Sequence, residues 1–242
     1  MSTEGFSHHT SSRFNEDLER IRASVLEMGG LVERQLHEAL GGIDSGDANV
    51  ILAVTQQELR INQMELSIDE DCSAVLATRG PAATDLRLII AVLKTITDLE
   101  RIGDEGEKVA AIGAHMAAVE RPRARYRELR HIGALVIAMV RDALDAFARL
   151  DADLAFKVAR RDRSVDEEYE AIQRQCITFM MEDPRTIRRA LDIMWVVRAM
   201  ERIGDHAKNV CEYVIYMVHG KDVRHTSLER VEQEIRSRNA RP

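Results

Sequence analysis

Apolar residues recur at steps of three and four along most of the chain, the spacing that places them on one side of an α-helix. Leu18, Ile21, Val25 and Met28 show it in the first stretch, and glycine and proline interrupt it, as at Gly80-Pro81. Such interruptions are typical of helix ends. The spacing predicts six long helices, the first beginning near residue 12 and the others at about 47–77, 82–119, 123–150, 151–181 and 184–219.

The two halves of the chain repeat one another. The pentapeptide Glu-Arg-Ile-Gly-Asp occurs at 100–104 and again, 101 residues later, at 201–205. Upstream of it, Cys72 aligns with Cys176 at an offset of 104 residues. Since short connections make neighbouring helices antiparallel, we predict an all-α fold of two tandem three-helix bundles related by internal pseudo-symmetry.

The domain boundaries follow from this repeat. We predict one bundle over residues 12–121 and a second over 122–220, with tails at 1–11 and 221–242. The C-terminal tail is mostly charged and shows no apolar side, so we expect it to be loosely attached.

Composition narrows the class of protein. The 242 residues carry a net charge of −7, without the basic excess of a general nucleic-acid binder. Apolar runs stay far below the ~18 residues that a membrane span requires. The three cysteines form no C-x-x-C pair, and the polar N-terminal segment lacks the apolar core of an export signal. We therefore expect a reduced, cytoplasmic protein.

The repeated pentapeptide places two carboxylates on one helix face in each half. Glu100 and Asp104 are four residues apart, as are Glu201 and Asp205, and each Glu follows an apolar residue of the stripe by seven. A carboxylate that faces a bundle is costly unless it is paired, protonated or bound to a metal. The mid-helix glycine of each pentapeptide also costs about 1 kcal/mol relative to alanine, which indicates close helix approach or access for a bound group.

The second helix of each half supplies further oxygen atoms at the same spacing. The predicted metal-ligand set is therefore Glu58, Asn62, Glu100 and Asp104 in the first half, and Asp162, Asp166, Glu201 and Asp205 in the second. His206 and Asn209 are candidate additional ligands of the second site. Such oxygen-rich sites suit hard or borderline cations.

Two alternatives stay open at this point. In one, the acidic residues form a purely structural polar seam, with Asp104 paired to Lys108 and with Arg101 and Arg202 neutralising carboxylates across a helix interface. In the other, the chain is a di-metal carboxylate enzyme, for which Glu128-x-x-His131 offers one ligand pair of the kind such bundles use. We find no phosphate-binding glycine loop or nucleophile motif, and we expect the single Trp195 to pack between helices.

The motifs resemble those of the PhoU family, accessory regulators of bacterial phosphate transport. The resemblance rests on DLR at 85–87, DLERIGD at 98–104, ERIGDHAKN at 201–209 and INQME at 61–65, and it covers about residues 12–220. It implies two three-helix bundles in a cytoplasmic, often dimeric protein. It further implies negative regulation of phosphate uptake and of phosphate-starvation signalling, through contacts with the ATPase subunit of the phosphate ABC importer and with a sensor histidine kinase.

The resemblance also bears on cofactors. Some members bind iron or zinc clusters through acidic E(D)-x-x-x-D motifs, which here are Glu100/Asp104 and Glu201/Asp205, with contributions from helix two of each half. We therefore expect a divalent or trivalent metal, namely Fe, Zn, Mg or Mn, or a metal-free regulator. Lys108 stands where Asn is more usual in the family. Because a cation there opposes metal binding, we expect the first site to be less fully occupied by metal than the second. Our leading hypothesis is a non-enzymatic regulatory adaptor.

Overall fold

A computed structural model describes residues 12–45, 47, 49–119, 127–223 and 226–239. Its helices are α1 (Ser12–Ser45), α2 (Asn49–Arg79), α3 (Ala83–Val119), α4 (Arg127–Arg149), α5 (Ala152–Glu182), α6 (Ile187–His219) and α7 (Leu228–Asn239), with a 3-10 turn at Pro184–Thr186. The described residues form no strand, so the all-α prediction is confirmed. The proposed division between residues 121 and 122 lies outside the described residues, as does the predicted tail 1–11.

The helices contact one another as two groups of three, α1–α3 and α4–α6. Helices α3 and α6 also pack together, and α1 contacts α4. Four helices therefore form a row in the order α2, α3, α6 and α5, in which each helix contacts the next. Helices α1 and α4 pack against this row. The two pentapeptide helices, α3 and α6, are the central pair of the row.

The core is built from the apolar stripes of the helices. Ile21, Val25 and Met28 of α1 are buried, and so is the large side chain of Phe147 on α4. Aliphatic side chains dominate this interior, and their removal from water is the main favourable contribution to folding. The spacing in the sequence therefore located the buried side of α1 correctly.

Helices α2 and α5 repeat one another in burial as well as in sequence. Five buried residues of each helix correspond at the offset of 104 residues: Val54, Glu58, Ile61, Ile68 and Cys72 on α2, and Val158, Asp162, Val165, Ile172 and Cys176 on α5. One buried position of each set is a carboxylate. This equivalence allows positions in one bundle to serve as internal references for the other.

Helix ends in the second bundle carry identifiable caps. The Asp151 side chain accepts a 2.9 Å hydrogen bond from the Leu154 backbone N–H at the start of α5, which satisfies one of the free donors of the first turn. Gly220 ends α6 with a φ of 66°, a left-handed conformation that glycine adopts without steric cost. These caps fix the connections around the central pair of helices.

The C-terminal segment differs from the expected loose tail. It contains α7, whose Val231 is fully buried, and Leu228 and Ile235 pack against the core from the same side of the helix. Arg160 of α5 forms an ion pair with Glu232 of α7. Three apolar residues among many charges gave too weak a signal in the sequence, but they suffice to attach the helix to α5. None of the described helices is long and apolar enough to cross a membrane.

Candidate functional site

Glu58, Glu100 and Asp104 form the first acidic group, between α2 and α3. Glu58 is buried, while Glu100 and Asp104 are half-buried. The Gln35 Nε2 amide of α1 donates a 2.7 Å hydrogen bond to Glu58 Oε2. The other carboxylate oxygen, Oε1, is buried without a hydrogen-bond partner. The group thus has one oxygen atom held by a neutral donor and another available to a ligand.

Burial and mutual repulsion govern the protonation of this group. Burial raises the pKa of Glu58 to about 7; the Gln35 hydrogen bond opposes the rise, and the negative charges of Asp104, Glu107 and Glu100 add to it. Burial, followed by repulsion from Asp104, also raises the pKa of Glu100. The first acidic group therefore holds more negative charge than its surroundings compensate at neutral pH, a situation that a bound cation would relieve.

Gly103 allows Glu58 to reach its position. A Cβ atom at residue 103 would lie 2.5 Å from Glu58 Oε2 and 3.2 Å from Ile61 Cδ1. In the second bundle, the nearest atom to a Cβ at Gly204 is Val165 Cγ1 at 3.5 Å, an ordinary contact distance. The sequence indicated close helix approach or access for a bound group at both glycines. Close approach is confirmed at Gly103, whereas Gly204 has only contacts of ordinary length.

Asp162, Asp166, Glu201 and Asp205 form the second acidic group, between α5 and α6. Asp162 is buried and accepts a hydrogen bond from Lys208 Nζ. Arg198 Nη1 donates to Glu201 Oε1 at 2.8 Å. Asp166 and Asp205 are exposed. Two basic side chains thus already neutralise carboxylates here, so the two acidic groups differ in kind.

The cation expected to disturb the first site lies elsewhere. Lys108 Nζ contacts Glu105 Oε1 at 3.0 Å, rather than pairing with Asp104 as the polar-seam alternative assumed. The corresponding polar contact in the second half comes from Lys208, which the sequence did not single out. The contacts of the two acidic groups therefore differ, while the expected difference in metal binding stays a prediction.

The remaining predicted ligands are Asn209, His206 and Asn62. Asn209 Nδ2 donates to Asp98 Oδ1 of α3 at 3.1 Å, and His206 Nδ1 lies 2.6 Å from the same oxygen atom. Both residues thus contact the neighbouring bundle through Asp98, and their assignment as ligands of the second site stays a prediction. Asn62 is half-buried, and its side-chain oxygen has no hydrogen-bond partner.

A polar seam joins the two bundles. It contains Arg202, as the structural alternative predicted, together with Asp98 and Glu105 of α3, which the sequence did not single out. Asp98 contacts His206 and Asn209. The buried Glu105 forms an ion pair with Arg202, with 3.1 Å between Glu105 Oε1 and Arg202 Nη1. Asp98 and Glu105 are seven residues apart and share one side of α3. This spacing was visible in the sequence, but nothing local showed that this side faces α6.

A metal ion needs several donor side chains close together as well as donors of the right type. Within the described residues, no three His, Cys, Asp or Glu side chains come together closely enough to hold one ion. The donors fit in type, however, because Glu58 Oε1, Asn62 Oδ1 and Glu201 Oε2 are buried oxygen atoms without hydrogen-bond partners. Carboxylate and amide oxygens are the ligands that Mg²⁺ and Mn²⁺ prefer.

Glu128 and His131, the metal-ligand pair of the enzyme alternative, do not lie near further metal ligands of either acidic group. His131 is exposed, and its Nε2 lies 3.4 Å from Glu168 Oε1 on α5. Glu128 lines a separate cavity of about 400 Å³, together with apolar residues such as Leu129 and Ile172 and an equal share of polar ones. Neither residue lies with either acidic group.

An exposed apolar stripe on α6 was missed entirely. Ile187, Leu191 and Trp195 follow one another at four-residue steps with exposures of 42%, 44% and 64%, so Trp195 does not pack between helices as expected. Arg198 and Asp205 continue the same side of α6 toward the second acidic group. The stripe therefore combines apolar and charged residues on one surface.

Comparison with known proteins gives consistent results. A PhoU domain model matches residues 25–112 and 129–214. The chain is 50% identical over 236 residues to the phosphate-specific transport system accessory protein PhoU homolog of Pseudomonas aeruginosa, with 97% of each chain covered. It is 42% identical over 229 residues to the accessory protein PhoU of Escherichia coli K12, with 93% of each chain covered.

Two crystal structures share the fold. That of PhoU from Pseudomonas aeruginosa superimposes with a TM-score of 0.83 at 50% identity, covering 86% of this chain and all of the other. That of the phosphate transport system regulatory protein PhoU from Streptococcus pneumoniae gives a TM-score of 0.80 at 28% identity, covering 87% of this chain and 99% of the other.

Proposed function

Because this chain belongs to the PhoU family, we propose that it is a non-enzymatic accessory protein that negatively regulates phosphate uptake and phosphate-starvation signalling. Its relatives are named as accessory or regulatory proteins of phosphate transport. We propose that it acts in the cytoplasm as a homodimer. Its proposed partners are the ATPase subunit of the phosphate ABC importer and a sensor histidine kinase.

The exposed stripe on α6 is the observation that carries the adaptor role. Trp195 is 64% exposed beside Ile187 and Leu191, and such an exposed apolar patch lowers the solubility of a protein unless a partner covers it. Tryptophan and arginine are the residues that contribute most often to binding energy at protein interfaces, and Arg198 follows Trp195 on the same side of the helix. We therefore propose the stripe, with the adjoining second acidic group, as the surface that binds the ATPase subunit.

The experiment that tests this proposal measures the affinity of purified protein for the importer's ATPase subunit. We expect Trp195→Ala combined with Leu191→Ala to weaken binding at least tenfold, about 1.4 kcal/mol. Val218→Ala is the matched control, since Val218 is exposed to 41% on the same helix but lies near its other end. Equal affinities for all three proteins would refute the proposed surface.

The charged part of the surface is tested separately. Glu201→Gln with Asp205→Asn, and Glu100→Gln with Asp104→Asn, remove the paired charges of each pentapeptide without changing side-chain size. We expect loss of phosphate repression in cells that carry the variants. Variants that keep both partner contacts and full repression would refute any role of the acidic pentapeptides in regulation.

We further propose that the first acidic group, with Asn62, holds a multivalent cation such as Mg²⁺, Mn²⁺, Zn²⁺ or an iron ion. Its support is the raised pKa of Glu58 and the unpartnered oxygen atoms at Glu58 and Asn62. When bound, the cation would supply positive charge that the surrounding protein lacks. Lys208 already neutralises Asp162 in the second acidic group, so we expect weaker binding there.

Equilibrium dialysis against each metal, followed by elemental analysis, tests the cation proposal. We expect Glu58→Gln with Glu100→Gln to abolish the tighter binding event, and the control pair Glu201→Gln with Asp205→Asn to preserve it. Retention of all metal by the first pair would refute the assignment. Metal-dependent turnover in a phosphatase screen would instead favour the enzyme alternative.

A further inference from the structure

Three exposed leucines on α2 have no role in the fold or in the proposed sites. Leu52, Leu59 and Leu66 are 62%, 60% and 65% exposed. They follow one another at seven-residue steps, which is two helical turns, so they form a nearly straight row about 21 Å long on the outer side of α2. We call these three residues the leucine face. The buried residues of α2, such as Ile61, lie on the opposite side of the helix.

The second bundle shows that the fold does not require these leucines. At the offset of 104 residues, Leu59 corresponds to Arg163 and Leu66 corresponds to Glu170 on α5. Both polar residues are exposed, although the two helices share five equivalent buried positions. Leucine at exposed positions of α2, where polar residues serve equally well on α5, indicates a surface that is covered by something outside the bundle.

The third equivalent position shows what covers such a face. Leu52 corresponds to Phe156, which is buried because α7 packs over this end of α5. Phe156 shares a cavity with Ile235 of α7, and the neighbouring Arg160 forms an ion pair with Glu232. A helix packed on this side is thus an arrangement that the protein already uses, whereas none of the described helices packs on the leucine face of α2.

We propose that the leucine face pairs with the same face of a second copy of this chain, with the two α2 helices antiparallel and a two-fold axis near Leu59. The row is symmetric about its centre, so reversal places Leu52 opposite Leu66 and Leu59 opposite itself. The flanking Gln56 and Gln63 are neutral, so no like charges meet beside the axis. Isologous pairing of one patch with itself is the usual geometry of a dimer.

Charge complementarity supports the antiparallel direction. With the axis at Leu59, Asp69 of one copy lies opposite Asn49, the first residue of α2 in the other copy. A carboxylate beside the positive N-terminal end of a helix is favourable. One helix from each copy gives a contact at the lower end of interface sizes, so we expect a dissociation constant of about 1–100 µM. The leucine face would then be the contact surface of the homodimer proposed above, on which this assignment rests.

Disulfide trapping tests the geometry. A Leu59→Cys variant should form a cross-linked dimer under mild oxidation, because the axis brings residue 59 of each copy together. The control is Arg163→Cys, the equivalent exposed position on α5, which should stay monomeric. The three native cysteines are buried and give little background. Leu52→Cys should cross-link only when mixed with Leu66→Cys, and cross-linking of Leu52→Cys with itself would overturn the antiparallel arrangement.

Sedimentation equilibrium separates the failure of this surface from the failure of the homodimer itself. We expect wild-type protein to dimerise at about 100 µM and Leu59→Arg to remain monomeric with unchanged helical circular dichroism, since Leu59 is mostly exposed. A dimer that survives Leu59→Arg would overturn the leucine face but leave the homodimer standing. A monomeric wild-type protein would overturn both, while the proposed regulation of phosphate uptake would still be tested by partner binding.

Discussion

Replacing each pentapeptide glycine by alanine tests the structural difference between the two acidic groups. Gly103 and Gly204 occupy the same place in an identical five-residue sequence, and both lie inside long helices. Local helix propensity therefore predicts the same result for both variants. The free energy of unfolding should rise by up to about 1 kcal/mol, because alanine loses less backbone entropy on folding than glycine does. Tertiary contacts predict opposite results.

At Gly204 the new methyl group has room. Its nearest neighbour would be Val165 Cγ1 at 3.5 Å, so we expect Gly204→Ala to raise the free energy of unfolding by up to about 1 kcal/mol.

At Gly103 the new methyl group displaces the Glu58 carboxylate, which would be only 2.5 Å away, and crowds Ile61. Overpacking costs about 1–3 kcal/mol, and loss of the Gln35 hydrogen bond costs about 1 kcal/mol more. After subtracting the propensity gain of about 1 kcal/mol, we expect Gly103→Ala to lower the free energy of unfolding by about 1–3 kcal/mol.

Urea unfolding followed by circular dichroism at 222 nm, a standard helix signal, measures both variants against wild type. The two changes should have opposite signs and differ by about 2–4 kcal/mol. Stabilisation by both alanines would show that Glu58 moves aside at no cost, and the reasoning about close approach in the first acidic group would then be refuted.

Three further predictions follow from buried polar groups and thiols. The pKa of Glu58 is about 7 in the folded protein against 4.5 ordinarily, so ionisation of Glu58 lowers the free energy of unfolding as pH rises from about 4.5 to 7. In urea unfolding, Glu58→Gln should therefore have a free energy of unfolding up to about 3 kcal/mol above that of wild type at pH 8, and nearly the same as wild type at pH 4. A pH-independent difference would contradict this. Asp98→Ala leaves His206 and Asn209 without their acceptor and should cost about 1–3 kcal/mol, whereas the exposed Asp69→Ala should change stability by less than about 0.5 kcal/mol; equal losses would argue against the seam between the bundles. The three cysteines are buried, and burial raises their pKa, so a thiol reagent should modify them at least about a hundredfold more slowly in native protein than in urea; rapid native modification would contradict their burial.

The helices and their duplication could be predicted from the sequence because both depend on local spacing. Apolar residues at steps of three and four define a helix side wherever they occur, and Cys72 and Cys176 marked equivalent positions of the two halves. The oxygen-rich character of the acidic groups was equally visible, since Glu100 and Asp104 share a face by helical geometry alone. The weakest local signal was that of α7, where three apolar residues stand among many charges.

The surroundings of individual side chains could not be predicted in this way. Lys108 and Lys208 lie in similar local sequences, but Lys108 contacts Glu105 within α3 whereas Lys208 contacts Asp162 on another helix. Trp195 lies in an apolar stretch but on a side of α6 that none of the described helices covers. In each case the outcome depends on which helix packs alongside, and nothing within a few residues of the side chain carries that information.

The sequence by itself determined the helices, their duplication into two halves, and the residue types of both acidic groups, because these follow from spacing within a few helical turns. Tertiary structure alone decided that α3 pairs with α6 through Asp98 and Glu105. It also decided that a carboxylate oxygen lies 2.5 Å from a Cβ at Gly103 but 3.8 Å from a Cβ at Gly204. Those contacts join residues that are about 40 to 110 positions apart in the chain. Burial, charge compensation and available volume are properties of such contacts, so they emerge only when the helices pack.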